Sequence, residues 1–290
     1  MAILTRIISV LKLYVVGVKL LLYQLIHRPF ISPASHDKQQ GHIVMERLHK
    51  ESSEARVDFE VLDLASQKSV REFVRRFKER KLPLHVLINN AGVMLVPEEE
   101  TDDGFELHFS VNYLGHVLLT RLLLDTLIHS GMEECSRIIS ICSSAHYVSD
   151  RNLQDFYSTK DYSSHSSYAR SKLAQLLFTY HLHQELQSGG CAVTVNAVDP
   201  GMVDTELYHH MSFPEKMAQK LIACLLFRTP EQAAETAVYA ATSQDFEGIS
   251  GCYLHEGIPV KSSSASYDAQ LQAELWRNTC RLLRLPVSIK

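Results

Sequence analysis

The sequence predicts an α/β protein in which a parallel sheet carries helices on both faces. Three observations support this. Short runs rich in aliphatic and β-branched residues alternate with longer segments whose apolar residues recur at helical spacing, the pattern of strand–helix–strand units. The strand candidates are nearly continuous in apolar residues, as 84–88 is, which is how strands covered on both faces read. The length of 290 residues, 46% hydrophobic and 21% charged, suits one α/β domain with an accessory segment.

Residues 7–26 are apolar enough to contact lipid, and about 20 residues is what a helix needs to cross a bilayer. Lys12 and Lys19 interrupt the stretch on one helix face. Each would cost roughly 2.5–3.5 kcal/mol at the bilayer centre. Residues 1–28 are therefore expected to associate with a membrane, as a tilted single-pass anchor or an interfacial helix, with a buried helix as the plainer reading. Residues 29–41 have the Pro, Ser and polar content of a linker. The α/β domain is then expected over 42–290.

Within the domain, 42–50 reads as a helix and 57–62 as a strand ending at Asp63. Ser69 is expected to cap a helix through 79, with Val70, Phe73, Val74 and Phe77 on one face. Strands at 84–88, 137–142, 192–198 and 251–254 alternate with helices at 112–128 and 167–187. Thr229-Pro230-Glu231-Gln232 has the form of a capping box with proline at the first helical position, opening a helix through 241.

Several function classes are disfavoured. The formal net charge is −4, and the Lys and Arg of 71–80 are interleaved with Glu on one helix, so no nucleic-acid partner is expected. The six cysteines, at 135, 142, 191, 224, 252 and 280, form no C-x-x-C pair, and they read as free thiols with no disulfide frame and no metal site.

Tyr168 and Lys172 form Y-x-x-x-K on the predicted 167–187 helix, one turn apart on one face. A phenol with a pKa of about 10 is a poor base at neutral pH, but an adjacent ammonium favours phenolate. Such a pair can exchange a proton with an alcohol or carbonyl. Alone, the motif is weak. Four others accompany it: Asn89-Asn90-Ala91-Gly92 after a strand, Val111-Asn112 opening a long helix, Ser143-Ser144 ending a strand, and Asp199-Pro200-Gly201-Met202-Val203-Asp204-Thr205 after another.

In this order and spacing the motifs resemble the short-chain dehydrogenase/reductase family over about 57–254, and the segments HVLINNAGVM, GFELHFSVNYLGHVLLT and SKLAQLLFTYHL resemble its retinol-dehydrogenase-like branch. The resemblance implies a Rossmann-like doubly wound sheet. It also implies an oxidoreductase that moves a hydride between NAD or NADP and a lipidic alcohol or carbonyl of polyprenol–dolichal type, on the endoplasmic reticulum membrane. It makes Tyr168 the general acid/base, Lys172 its cation and a ribose ligand, Ser144 the substrate-orienting hydroxyl, and Asn112 the holder of a relay water. Asp63 would meet the adenine; Asn89, Asn90, Ala91 and Gly92 the adenosine ribose; and Pro200, Gly201, Val203 and Thr205 the nicotinamide amide and pyrophosphate. Residues 213–227 would be the substrate lid. Plainer readings stand beside these: a helix-cap role for Asn112, a strand-end turn for Asp63, strand-tying asparagines at 89–90, and core packing for 221–227; His146 reads as pocket lining or core.

The chain departs from the family in one respect. Only Gly17 and Gly41 precede Gly92, so the glycine-rich turn that lets backbone N–H groups approach a pyrophosphate has no counterpart. Residues 34–62 are also too few for three strands and two helices, which take roughly 50. About one strand–helix–strand unit is expected to be missing, with weak cofactor binding and incomplete folding as the consequence. A catalytically silent, membrane-anchored binding protein is the alternative from another class, and a retinoid or steroid dehydrogenase differs only in substrate. Oligomeric state is open.

Overall fold

The structure, a computed structural model, describes residues 34–35, five helical residues between 41 and 50, 57–132, 134–149, 162–203 and 228–289. Strands are β1 (Ala34–Ser35), β2 (Glu60–Val61), β3 (Val86–Asn89), β4 (Ser136–Ile141), β5 (Val193–Asp199), β6 (Tyr253–His255) and β7 (Ile258–Val260). Helices are α1 (Gln67–Glu79), α2 (Leu107–Ser130), α3 (Ser164–Ser188), α4 (Pro230–Thr242) and α5 (Ala269–Leu283). Five strands form one sheet in the order β3-β4-β5-β6-β7, parallel except for the last pair. β1 and β2 form a separate parallel pair, with Ala34 opposite Glu60.

Helices cover both faces of the five-stranded sheet. On one side the core runs from Phe73 and Phe77 of α1 through Leu118, Leu124 and Leu127 of α2 to Leu173, Leu177 and Trp276 of α3 and α5. On the other, Ile139, Val198 and Leu254 pack beneath Ala240 and Ala241 of α4. Each fully buried leucine contributes roughly 1.5–3 kcal/mol. α2 is long and apolar enough to cross a membrane by length and composition, but most of it is buried in this core, as in an ordinary core helix. The expected 7–26 segment lies outside the described residues.

The elements agree with expectation in kind and differ at their ends. The helix at α1 buries the four apolar residues expected of it, but its cap is Ser66, which accepts from the Ser69 amide at 3.2 Å. Ser69 accepts instead from the Asp63 amide, closing the turn after β2. α2 starts at Leu107, five residues early, because the Glu106 carboxylate caps it through the amides of His108 and Phe109. The Thr229 capping box is present in both directions, at 3.3 and 3.0 Å. β1 falls inside the stretch expected to be linker, so that stretch contributes a strand. β7 and α5 lie beyond the expected last strand. α5 has its own signals, an Asp268 cap and Leu271, Leu275, Trp276, Thr279 and Leu283 on one buried face.

Candidate active site

α3 carries Tyr168 and Lys172 inward. Both are buried, and the Lys172 ammonium lies 5.7 Å from the centre of the Tyr168 ring. Lys172 Nζ donates to the Ile141 carbonyl at the end of β4, at 2.9 Å. Burial lowers the Lys172 pKa, against the pull of Cys142 and Asp199. Asn112 sits opposite, in a π-turn over Ser110–Leu114 inside α2. Such turns widen a helix by one residue and recur at functional sites. Its side chain clamps the loop after β3: Nδ2 donates to the Val93 carbonyl at 2.9 Å and to Ser171 Oγ at 3.0 Å, and Oδ1 accepts from the Val93 amide at 2.8 Å.

Gly92 lies in that loop at close quarters: a Cβ there would sit 3.1 Å from Asn112 Oδ1, a tight contact, and 3.8 Å from Lys172 Nζ, an ordinary one. The structure thus brings Gly92, Asn112, Tyr168 and Lys172 together. Asn90 and Ala91 are exposed beside them. Asn89 points the other way. Its Nδ2 donates to Thr120 Oγ1 at 3.0 Å, tying β3 to the helix α2 rather than to an adjacent strand.

The serine turn follows β4. Ser143 Oγ accepts from the Ala145 amide at 3.2 Å, whereas Ser144 Oγ donates to Asp199 Oδ2 in a short hydrogen bond. His146 is fixed between the Ser143 carbonyl and the Ser263 amide, so it is a structural tie, consistent with the packing reading. After β5, the Asp199 carboxylate accepts from the Gly201 amide at 2.9 Å, and Gly201 has φ +79°, a conformation that favours glycine. Pro200 and Gly201 are half-buried, and Val203 bridges to Arg228. Thr205 and 213–227 lie outside the described residues. Asp63 Oδ1 accepts from the Ala65 amide at 2.9 Å, the strand-end turn geometry.

Sequence reading missed three residues here. Asp199 is almost fully buried: burial raises its pKa, but hydrogen bonds from Ser144, Tyr253 and Gly201 outweigh it and the net shift is downward. His116, one turn after Asn112, places Nδ1 3.2 Å from the Asn112 carbonyl, and burial with the Lys172 charge pushes its pKa down to about 3. His108, fully buried, pairs through Nδ1 with Glu106 at 2.6 Å and lies edge-on to the Tyr168 ring at 6.3 Å. Asp199 stood in the sequence only as the first residue of the 199–205 motif, and His108 and His116 only as polar residues within the apolar α2 segment.

The arrangement joins a phenol to a buried ammonium, an asparagine clamp and a hydroxyl turn, which suits proton exchange with an alcohol or carbonyl. The profile of the family described as short chain dehydrogenase matches residues 31–215. The chain belongs to that family. It is an oxidoreductase, and its relatives agree. It is 45% identical to the polyprenol dehydrogenase of Danio rerio over 316 aligned positions, covering 96% of this chain and 98% of that protein. It is 46% identical to the human polyprenol dehydrogenase, over 86% of this chain and 76% of that protein, and 38% identical to mouse retinol dehydrogenase 13, over 88% and 76%. The Danio rerio alignment is longer than the chain, so part of it faces gaps here. Among solved structures, an uncharacterised Mycobacterium paratuberculosis protein is similar at a TM-score of 0.68 and 26% identity, covering 90% of this chain and 94% of that one. The Pseudomonas aeruginosa RhlG/NADP complex, at 0.61 and 20% identity over 86% and 91%, shares the fold.

Proposed function

We propose that the protein transfers a hydride between NAD or NADP and a lipidic alcohol or carbonyl of polyprenol–dolichal type, and that this chain carries the site in an impaired form. The observation that carries the reading is the buried Tyr168–Lys172 pair held against Asn112 and Gly92. The names of the relatives support the substrate class, and the apolar 7–26 segment supports access from a membrane, that of the endoplasmic reticulum in our reading.

A nicotinamide cofactor fits this chain at one end only. Around Lys172, Gly92 leaves room that a Cβ would fill, and Asn90 and Ala91 are exposed. These residues, with Tyr168, Lys172 and Pro200, would hold the nicotinamide and its ribose. At the other end, Gly41 gives no pyrophosphate cradle: a Cβ on it would sit 2.3 Å from the Phe59 ring, so it is a packing glycine. In the doubly wound order 3-2-1-4-5-6 the strand bearing that cradle lies between the strands that correspond to β1 and β3. Here β1–β2 and β3–β7 are separate sheets. The shortfall is then one strand and one helix, with β1 and the helical residues after it surviving from the next unit.

When bound, the cofactor supplies or accepts the hydride. The protein's part is the proton. In oxidation Tyr168 takes the hydroxyl proton onto its phenol oxygen, and in reduction it returns it. The Lys172 charge favours the phenolate that makes this possible. Asn112 holds the Gly92 loop and α3 in place, and the serine turn offers a hydroxyl to the substrate oxygen. The test is turnover of polyprenols with NAD and NADP by a chain given the missing unit from the Danio rerio relative. Tyr168→Phe in that background should lower kcat by about 10²–10⁴. Unchanged turnover in the variant would refute the assignment. Loss of turnover with binding retained in the present chain would favour the silent, lipid-binding alternative for this form.

A further inference from the structure

We propose that His146 is a positioning residue: held as one fixed tautomer, it brackets the Ser143–Ser144 turn to the chain that follows β7, and so sets the place of the Ser144 hydroxyl. The inference rests on the oxidoreductase reading above and deepens it.

The turn has little to hold itself. It is a 3-10 helix of five residues, Ser144–Val148, in which the His146 amide donates to the Ser143 carbonyl at 3.2 Å and the Ser149 amide to the His146 carbonyl at 3.4 Å. Hydrogen-bond geometry in such turns is poorer than in an α-helix. Ties from outside must fix it, and the buried His146 ring supplies one. Its Nδ1 lies 2.7 Å from the Ser143 carbonyl oxygen, and its Nε2 lies 3.1 Å from the Ser263 backbone nitrogen. A carbonyl can only accept and a backbone N–H can only donate, so Nδ1 carries the hydrogen and Nε2 is bare. Both nitrogens are then used, and only the neutral ring meets both partners. A proton on Nε2 would set two donors against each other and release Ser263. Beside this bond, Tyr147 Oη donates to the Lys261 carbonyl, and the His146 ring packs against those of Tyr147 at 4.1 Å and Tyr253 at 5.0 Å.

The far side of the bracket is anchored on α3. Ser262 Oγ and Tyr180 Oη are 2.7 Å apart, and the Ser262 amide donates to Tyr267 Oη, whose ring stacks on that of Tyr180. Tyr168 and Tyr180 lie on the same helix. Through His146 the serine turn is braced on the helix that carries Tyr168. The titratable groups about the ring are Asp199 at the end of β5, Tyr253 on β6, Cys142 and Tyr147 on either side of it, Lys172 and Tyr180 on α3, and Lys261 and Tyr267 after β7. Burial holds the imidazole pKa down, against the Ser143 carbonyl and Asp199.

Three measurements test this. In the present chain, a long-range nitrogen–proton NMR correlation of the imidazoles, with the His146 signals assigned by their loss in His146→Gln, should show hydrogen on Nδ1 alone. That pattern should persist as the pH falls through about 6.5, where a free imidazole takes up its proton. Hydrogen on Nε2 at neutral pH would overturn the proposal. Hydrogen exchange of the same chain should be faster over both 143–149 and 261–267 in His146→Phe, which keeps a packed ring and loses both bonds. Ser263→Pro removes the one donor and keeps the imidazole, and Ser263 has φ −59°, which proline shares. It should also quicken exchange over 143–149, and it decides the matter if His146→Phe loses protection throughout. Wild-type exchange over 143–149 in Ser263→Pro would overturn the bracket. In the chain with the missing unit restored, both variants should lower kcat about ten-fold with KM nearly unchanged, as misplacement of a catalytic group does. His146→Gln, which offers a donor and an acceptor but takes up no proton, should return kcat to within about three-fold of wild type and flatten its fall on the acid side. Full turnover in both His146→Phe and Ser263→Pro would overturn the positioning role. If the restored wild type turns over no alcohol, the functional reading fails while the tautomer and exchange results still decide the bracket.

Discussion

Lys172 and His116 are both buried within the same polar cluster, and they meet burial in opposite ways. Lys172 keeps a carbonyl partner and the balancing charge of Asp199, so its shift is opposed. His116 has no anion among its named influences. Burial and the Lys172 charge both act against its protonation, and its pKa falls to about 3. The unfolded chain binds that proton near pH 6.5, so stability from this site is present above 6.5 and is lost as the pH falls towards 3. The interval corresponds to about 5 kcal/mol, to order of magnitude. His116→Gln should therefore flatten the dependence of unfolding free energy on pH between 6.5 and about 4. Denaturant titrations across that range check it, and an unchanged slope would show that His116 is protonated in the folded state. That Tyr168 and Lys172 share one buried helix face was legible in the sequence from their i,i+4 spacing, whereas Asn112 entered only through the family resemblance. The Asp199 web was not, because Ser144 and Tyr253 lie 55 and 54 residues away along the chain and no periodicity links them.

At the scale of elements, the sequence conveyed the apolar face of α1 and the order of the elements from β2 to β6, but not β1, β7 or α5. What it did not convey was hydrogen-bond register. Ser66 and Ser69 are both good caps by type, and only the turn geometry after β2 assigns the cap to one and the Asp63 amide to the other. The π-turn at Asn112 is a register change with no compositional mark. β1 was hidden because two paired residues lie among polar and proline residues that read as linker. Close approach of backbones is also invisible in one dimension. At Gly115, where α2 crosses the chain after β2, a Cβ would sit 2.4 Å from the Leu64 carbonyl oxygen. Alanine is favoured over glycine inside a helix by about 1 kcal/mol, but here the obstacle is backbone and cannot swing aside. Gly115→Ala should therefore be net destabilising, by about 1–3 kcal/mol, as overpacking is. A rise in Tm instead would mean that α2 is free to move away from Leu64.

For the whole molecule, the family fold is retained, and among the described residues β1–β2 and β3–β7 form separate sheets. β3 shows the consequence. Val86, Leu87 and Ile88 are apolar yet only partly buried, whereas β4 and β5 are buried almost throughout. Among the described residues this apolar strand ends the sheet, which is a liability for folding and association. We propose that the missing glycines and this division share one cause, a lost strand and helix, where the sequence led us to expect the loss of a strand–helix–strand unit. The most direct measurement is a fluorescence titration of the purified chain with NADH and NADPH beside the same chain carrying the restored strand and helix. We expect micromolar binding by the restored chain and none in that range by the present one. Equal micromolar binding by both would contradict the account and mean that the divided sheet still builds a cofactor site.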